Sequence, residues 1–231
     1  MKTTKFIGGL FGALMLLGAG CAQSDQAVEP IKLGFISPLT GDGSSLGVPT
    51  KQAAELAVEE INKAGGVNGR QIQFIAEDGK CSTKDATSAA AKLMDADKVA
   101  AIVGGLCSSE TSAFAPSAMQ KKVIVFSHTS SAPSLSKTGK YFFRSFPSDS
   151  FQGKVAAEYA FNTLKARKVA VIFHQTDYGN GLKDVVTARF KELGGEIVAS
   201  EGAPQESRDY RALVTKVKAA NPDFVYAPTY P

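Results

Sequence analysis

The sequence has no tryptophan, only two histidines and only three cysteines among its 231 residues. Histidine is the commonest metal ligand and general base, and His128 and His174 stand alone, outside any spacing typical of a zinc site. The scarcity of histidine argues against a metal centre and against an enzyme whose base is a histidine. We therefore expect a protein with no metal ion, no cofactor and no catalytic site.

An excess of charge of one sign is also missing. The 26 basic residues, once Lys2 and Lys5 are set aside as part of a leader, nearly balance the 22 acidic residues. No basic stripe is visible along the chain, although such a stripe is typical of proteins that bind nucleic acid. Nucleic acid is therefore not expected as a partner.

Long apolar runs are absent except near the N-terminus, where residues 6–17 are mainly apolar. This run is shorter than the roughly 20 residues of a membrane span, and its basic start and small-residue end predict a signal peptide at 1–20. The residues before Cys21 resemble a bacterial lipoprotein signal, although Gly18 stands where that pattern has leucine. We expect the chain to be exported and Cys21 to be lipidated. The alternative is cleavage nearby and release of the chain as a soluble protein. Residues 21–30 read as a polar tether.

Setting Cys21 aside leaves an even pair of cysteines, Cys81 and Cys107. In an oxidising compartment such a pair is interpreted first as a disulfide. Two unpaired buried thiols are the alternative, since free cysteine behaves as a small apolar residue. Cys107 could also act as a nucleophile with a histidine, but pairing with Cys81 is the simpler interpretation.

Predicted strands alternate with predicted helices along the rest of the chain, which indicates parallel sheets covered by helices. The strands are predicted at 31–37, 71–77, 99–103, 123–127, 141–146, 168–174, 196–200 and 223–227. The helices are predicted at 50–64, 83–95, 109–120, 147–164, 179–193 and 210–219. The series divides into an N-terminal α/β lobe at 31–143 and a C-terminal lobe at 144–231. The second lobe looks incomplete, and we expect the chain to be truncated.

Ligands of open parallel sheets bind beyond the carboxyl ends of the strands, and here those loops are rich in hydroxyl groups and glycine. Ser108 and Ser109 follow one strand and Ser131 follows the next, so they could meet around one anion at a helix N-terminus. A helix cap is the plainer role for one of the first two serines. The GDGSSLG segment has a third glycine one place too late for a dinucleotide fingerprint, and a ligand loop is the better interpretation.

Motifs spread over residues 30–231 resemble those of the periplasmic leucine/isoleucine/valine-binding proteins, the type I solute receptors of ABC importers. In chain order they include GFISPLTGDGSSLG, EEINKAGGVNGRQI, EDGKCSTKDA, GGLCSSET, SHTSSAPSL, FRSFPSDSFQG, DYGNGL and PDFVYAPTY. The resemblance implies two α/β lobes around a hinged cleft, with Cys81 and Cys107 matching a disulfide of the family. Family members are longer, which agrees with an incomplete second lobe.

The resemblance also implies a set of ligand-binding residues: Ser108, Thr129, Ser131, Tyr178, Tyr230 and Leu46. Ser108 matches the residue that holds the α-carboxylate of the ligand. Leu46 stands where relatives have a large aromatic residue against the ligand side chain. The acidic partner of the ligand ammonium falls beyond the last residue, while Asp149 and Gln152 are predicted as a helix cap and a packing residue.

The function implied by this resemblance is capture of an amino acid, with branched-chain amino acids first, by closure of the two lobes. An ABC permease would be the partner, and the periplasm or the outer face of the cytoplasmic membrane the location. Two alternatives remain: a sensory module that signals to a partner, and a receptor for an amide, urea or a similar small polar solute.

Overall fold

The computed structural model of the chain describes residues 1–3 and 29–230. The lipid site predicted at Cys21 and most of the predicted signal peptide and tether lie outside these residues. Within the described part of the chain, no helix is both long and apolar enough to span a membrane.

The first lobe is built on a five-stranded parallel sheet in the order β2-β1-β3-β4-β5. Its strands are β1 (Ile31–Ser37), β2 (Ile72–Asp78), β3 (Ala101–Gly104), β4 (Ile124–Ser127) and β5 (Phe142–Arg144). Its helices are α1 (Ser44–Lys63), α2 (Thr83–Ala91) and α3 (Ser108–Lys121). A π-helical turn at Lys92–Ala96 continues α2, and a short 3-10 helix spans Pro133–Lys137. Ile36, Ile102 and Phe114 are at most 1% exposed at the centre of the core.

The second lobe is built on a three-stranded parallel sheet in the order β7-β6-β8. Its strands are β6 (Lys168–His174), β7 (Glu196–Ala203) and β8 (Phe224–Tyr226). Its helices are α4 (Asp149–Glu158, continued by a π-helical turn at Tyr159–Thr163), α5 (Asp177–Glu192) and α6 (Arg211–Ala219). Val171, Val186 and Phe190 lie at the centre of the second core.

The predicted α/β class with two helix-flanked parallel sheets is confirmed. The last strand of the first sheet, β5, pairs in parallel with β4 and ends at Arg144, one residue past the predicted lobe boundary. The next few residues lead directly into α4 of the second lobe.

The main error in the predicted elements is the start of α1, which begins at Ser44 rather than at Thr50. Residues 44–47 belong to the GDGSSLG segment, which the sequence interpretation takes as a loop. In the structure these turns are helical and pack on the end of β1 at Gly47, where a Cβ would come 1.8 Å from the carbonyl oxygen of Pro38. Tertiary contact thus overrides the local signal at this position.

The second lobe has the same close approach between the start of a helix and the end of the preceding strand. A Cβ added to Gly179, in the first turn of α5, would lie 2.0 Å from the carbonyl oxygen of His174 at the end of β6. In both lobes a glycine therefore lets the helix begin directly against the end of the preceding strand. The carboxyl ends of the strands of both sheets border the space between the lobes, where the predicted site residues lie.

Candidate functional site

Ser108 is the first residue of α3 and is 1% exposed. Its hydroxyl oxygen accepts hydrogen bonds from the backbone N–H groups of Ser131 (3.2 Å) and Ala132 (3.1 Å). These bonds leave the hydroxyl hydrogen of Ser108 available to a ligand acceptor. They also bring the loop after β4 against the start of α3, as the sequence interpretation requires.

Neither serine at the start of α3 caps the helix, which corrects that prediction. The N-cap position is occupied by Cys107, with Ser108 and Ser109 inside the first turn. The hydroxyl of Ser109 donates instead to the carbonyl oxygen of Cys81 at 3.2 Å. Ser109 therefore fixes the cysteine loop, and Ser108 is left as the serine that faces the loop after β4.

The hydroxyl groups after β4 have different partners. Thr129 donates to the carbonyl oxygen of Leu106 at 2.8 Å, so its hydroxyl hydrogen is occupied within the first lobe. Ser130 is buried and its hydroxyl lies 2.9 Å from the carbonyl oxygen of Gly105. Ser131 donates to Oδ2 of Asp149 at 2.9 Å. The loop is thus held firmly by its own hydroxyl groups, and Ser131 connects it to the second lobe.

Asp149 is not the helix cap that the sequence interpretation predicts. Ser148 caps α4, while Asp149 lies in the first turn with 0% exposure. One carboxylate oxygen, Oδ1, has no hydrogen-bond partner among residues 1–3 and 29–230. Burial raises the pKa of Asp149 to about 6, although the bond from Ser131 and the charge of Arg144 oppose that shift. An unpartnered carboxylate oxygen in this position is an acceptor ready for a cationic group.

Three tyrosines of the second lobe, Tyr178, Tyr226 and Tyr230, lie near enough for the charge of this carboxylate to raise their pKa values. The rings of Tyr178 and Tyr230 are stacked with their centroids 5.0 Å apart. Burial raises the pKa of Tyr178 and Tyr230, and that of Tyr226 to about 12, so all three phenols stay neutral. The nearby side chain of Gln152 lowers the pKa of Tyr178 and Tyr226, against the larger effect of burial.

Tyr230 crosses from the second lobe to the first. Its ring packs against Leu106 and the two cysteines, and the nearby backbone N–H of Ser108 lowers the pKa of its phenol, against the larger effect of burial. The free N–H groups at a helix start suit an anion. The phenol therefore occupies a position that suits a ligand carboxylate oxygen.

A cavity of about 440 Å³ lies between the lobes beside this cluster. Leu46, which is 41% exposed, lines it together with Leu106, Cys107 and Tyr230. Its volume lies in the range typical of small-molecule sites. Leu46 and Tyr230 thus border the cavity, whereas Ser108, Ser131, Tyr178 and Asp149 form the polar cluster next to it.

Cys81 and Cys107 are joined in a disulfide, with their Cα atoms 5.3 Å apart. The carboxylate of Glu110 lies beneath this bridge and is 0% exposed. It accepts hydrogen bonds from the backbone N–H of Cys81 (3.1 Å) and Cys107 (3.0 Å). Burial raises the pKa of Glu110 to about 7. Because the thiols are consumed by the disulfide, this group of residues is not a metal site.

Glu110 was missed in the sequence, although a glutamate three residues after an N-cap is a known capping signal. Its position also explains a neighbouring glycine. A Cβ on Gly105 would lie 2.5 Å from the Cβ of Glu110, so this glycine makes room for the buried glutamate.

Reducing the disulfide is expected to lower the free energy of unfolding by about 3.5 kcal/mol, the chain-entropy value for a loop of this length. The loop spans 26 positions of sequence. Denaturant unfolding of the purified chain with and without a reducing agent measures the change. The Cys81→Ser, Cys107→Ser double variant should match the reduced protein and be insensitive to the reductant. Equal stability of the oxidised and reduced forms would contradict the expectation.

Comparison with known proteins was consistent with this geometry. Residues 30–231 match the family described as periplasmic binding protein. An amino acid binding protein of Pseudomonas aeruginosa is 37% identical over 88% of this chain and 54% of its own length. The leucine-, isoleucine-, valine-, threonine- and alanine-binding protein of the same organism is 32% identical over 97% of this chain and 60% of its own length.

Among solved structures, the branched-chain amino acid binding protein LivJ of Streptococcus pneumoniae, in complex with isoleucine, has a TM-score of 0.78. It is 34% identical, over 87% of this chain and 57% of the other. The chain thus spans a little more than half the length of the relatives it matches. With the resemblance predicted from its motifs confirmed over residues 30–231, the chain belongs to the periplasmic binding protein family.

Proposed function

We propose that the chain captures an amino acid between its two lobes, with branched-chain amino acids as the first ligands to test. The observation that supports this most directly is that hydrogen-bond donors for an anion and an acceptor for a cation lie in the same cluster. The start of α3 at Ser108 offers N–H and O–H donors, and Asp149 offers an unpartnered carboxylate oxygen. An α-amino acid carries the carboxylate and the ammonium group that would satisfy both.

In this proposal the ligand carboxylate displaces the phenol of Tyr230 from the N–H of Ser108 and accepts from the serine hydroxyl. The ligand ammonium donates to Oδ1 of Asp149. Because Ser108 belongs to the first lobe and Asp149 and Tyr178 to the second, a bound ligand would bridge the lobes. Such contacts stabilise the closed state and make closure depend on the ligand.

The names of the relatives support a transport role, since LivJ is described as a substrate-binding protein of a branched-chain amino acid transporter. We propose delivery of the ligand to an ABC permease in the cytoplasmic membrane. Export through a signal peptide at residues 1–20, with a lipid on Cys21, would hold the protein near that permease.

The experiment is calorimetric titration of the purified chain with a panel of L-amino acids. Binding tighter than about 100 μM by a branched-chain amino acid is expected. Ser108 would donate to the ligand carboxylate, and Ser131 donates to the carboxylate of Asp149 that would hold the ammonium group. Because a hydrogen bond to a charged group is worth about 1.5–3 kcal/mol, Ser108→Ala and Ser131→Ala should each weaken binding by roughly ten- to a hundredfold. Ser88→Ala, an exposed serine in α2, serves as the matched control. Unchanged affinity in both site variants would remove these serines from the site, and no binding by any amino acid would end the proposal.

A further inference from the structure

The cavity beside the polar cluster is lined by many residues besides Leu46 and Tyr230, the two predicted ligand-binding residues that border it. Cys107 and Tyr230 line the cavity, and Ser108 follows Cys107 directly, so one end of the cavity adjoins the start of α3. From there its apolar wall continues through Leu106 and Ile172 to Val214 of α6. The side chain of the ligand would therefore point into this space.

The far side of the cavity is polar. The ring of His174 accepts from the backbone N–H of Tyr230 at Nδ1 (3.1 Å), and burial lowers the pKa of the ring. A neutral ring with an acceptor at Nδ1 carries its proton on Nε2. Nε2 lies 2.7 Å from the hydroxyl oxygen of Tyr210 and donates to it. The hydroxyl hydrogen of Tyr210 then remains available to a ligand oxygen.

The walls of the cavity also include aromatic rings. The ring centroid of His174 lies 6.3 Å from those of both Tyr210 and Tyr230. Aromatic rings pair favourably at centroid distances of about 4.5–7 Å. A further ring placed among these residues would contact aromatic side chains as well as the apolar wall.

The size of the cavity favours a large side chain. At about 30 Å³ for each water-sized atom, the cavity of about 440 Å³ has room for about 15 such atoms. The side chain of leucine has four non-hydrogen atoms and that of tyrosine has eight, so both fit, and the branched aliphatic side chain would leave the polar end next to Tyr210 unfilled. Leu46 contributes to the space because a smaller residue stands where the resemblance expects a large aromatic one.

We propose that the cavity takes the side chain of an aromatic amino acid, with the hydroxyl of Tyr210 binding a phenolic oxygen at its far end. This inference rests on the proposed function, because it places the carboxylate and the ammonium group of the ligand at Ser108 and Asp149. It adds a ligand class that the apolar wall, the ring cluster and the cavity volume support together.

Calorimetric titration of the full chain with L-leucine, L-phenylalanine and L-tyrosine tests the inference. The aromatic amino acids should bind at least tenfold more tightly than leucine. Val214 is 51% exposed on its helix, so this position tolerates a larger side chain. Val214→Phe should fill part of the cavity and reduce the ratio of aromatic to leucine affinity at least tenfold. Tyr210→Phe should weaken tyrosine relative to phenylalanine by about tenfold, the loss of one hydrogen bond. Leu56→Phe, on the exposed face of α1 and outside the cavity, should change neither affinity.

The outcomes separate the two proposals. If leucine binds and the aromatic amino acids bind equally or more weakly, the aromatic ligand class is wrong and amino-acid capture stands. A ratio unaffected by Val214→Phe in a folded variant, checked by circular dichroism, also overturns the aromatic assignment. If none of the three amino acids nor any other in the panel binds, the proposed function itself is wrong.

Discussion

Replacing Asp149 with alanine is expected to weaken amino-acid binding by about a thousandfold. The carboxylate is fully buried, and one of its oxygens has no partner within the described part of the chain. An ammonium group bound there would form a buried charge pair, and removing one partner of such a pair costs roughly 2–5 kcal/mol. Calorimetry with the tightest-binding amino acid measures the loss. Asp184→Ala, an exposed aspartate of α5, is the matched control and should bind normally.

The pH dependence of binding gives a second measurement of the same contact. Because the pKa of Asp149 is raised to about 6, the carboxyl is protonated below that pH and cannot accept from the ammonium group as an anion. Affinity should therefore be about tenfold weaker at pH 5 than at pH 7, and Asp149→Asn should remove most of this dependence. An equally steep pH profile in the asparagine variant would show that another group is responsible.

Replacing Glu110 with alanine is expected to destabilise the first lobe by about 4 kcal/mol or more. The carboxylate accepts from the backbone N–H groups of Cys81 and Cys107, and the alanine variant would leave both donors buried without a partner. Each such loss costs about 1–3 kcal/mol. Denaturant unfolding measures the change, with Glu59→Ala in an exposed ion pair of α1 as the control expected to lose less than about 1 kcal/mol.

The conservative variant Glu110→Gln isolates the role of the charge. Burial raises the folded-state pKa of Glu110 from 4.5 to about 7, so the folded protein holds this proton more tightly than the unfolded chain. The stability that protonation contributes is fully present below pH 4.5 and is lost as the pH rises through about 7. Glu110→Gln should flatten this part of the stability profile. A wild-type profile that is flat between these values would contradict the assigned pKa.

The architecture could be predicted from the sequence because alternating strands and helices leave a strong local pattern. β6 was predicted with its observed bounds, since Lys168–His174 is an apolar run with a clear turn before it. The boundaries that failed depend on contacts that are distant along the chain. The start of α1 is fixed by Gly47 against Pro38, and β7 extends to Ala203 because it pairs with β6 along its whole length.

The candidate site was predictable only where a residue matched a motif. Ser108 and Ser131 follow neighbouring strands, and their proximity follows from the parallel sheet. Asp149 and Glu110 could not be assigned in this way, because near a helix start an acidic residue reads as a cap or as a dipole partner. Only burial and the absence of a partner distinguish Asp149 from an ordinary first-turn aspartate, and neither is visible in the sequence.

An ion pair between Asp42 of the first lobe and Arg208 of the second joins the two lobes beside the cavity. The side chains of both residues are more than half exposed, at 51% and 69%. Exposed pairs of this kind contribute about 0–1 kcal/mol and are screened by salt. This ion pair therefore contributes little to holding the lobes together, and the buried bond from Ser131 to Asp149 is the stronger link between them. Adding salt should weaken the ion pair and leave the buried bond intact.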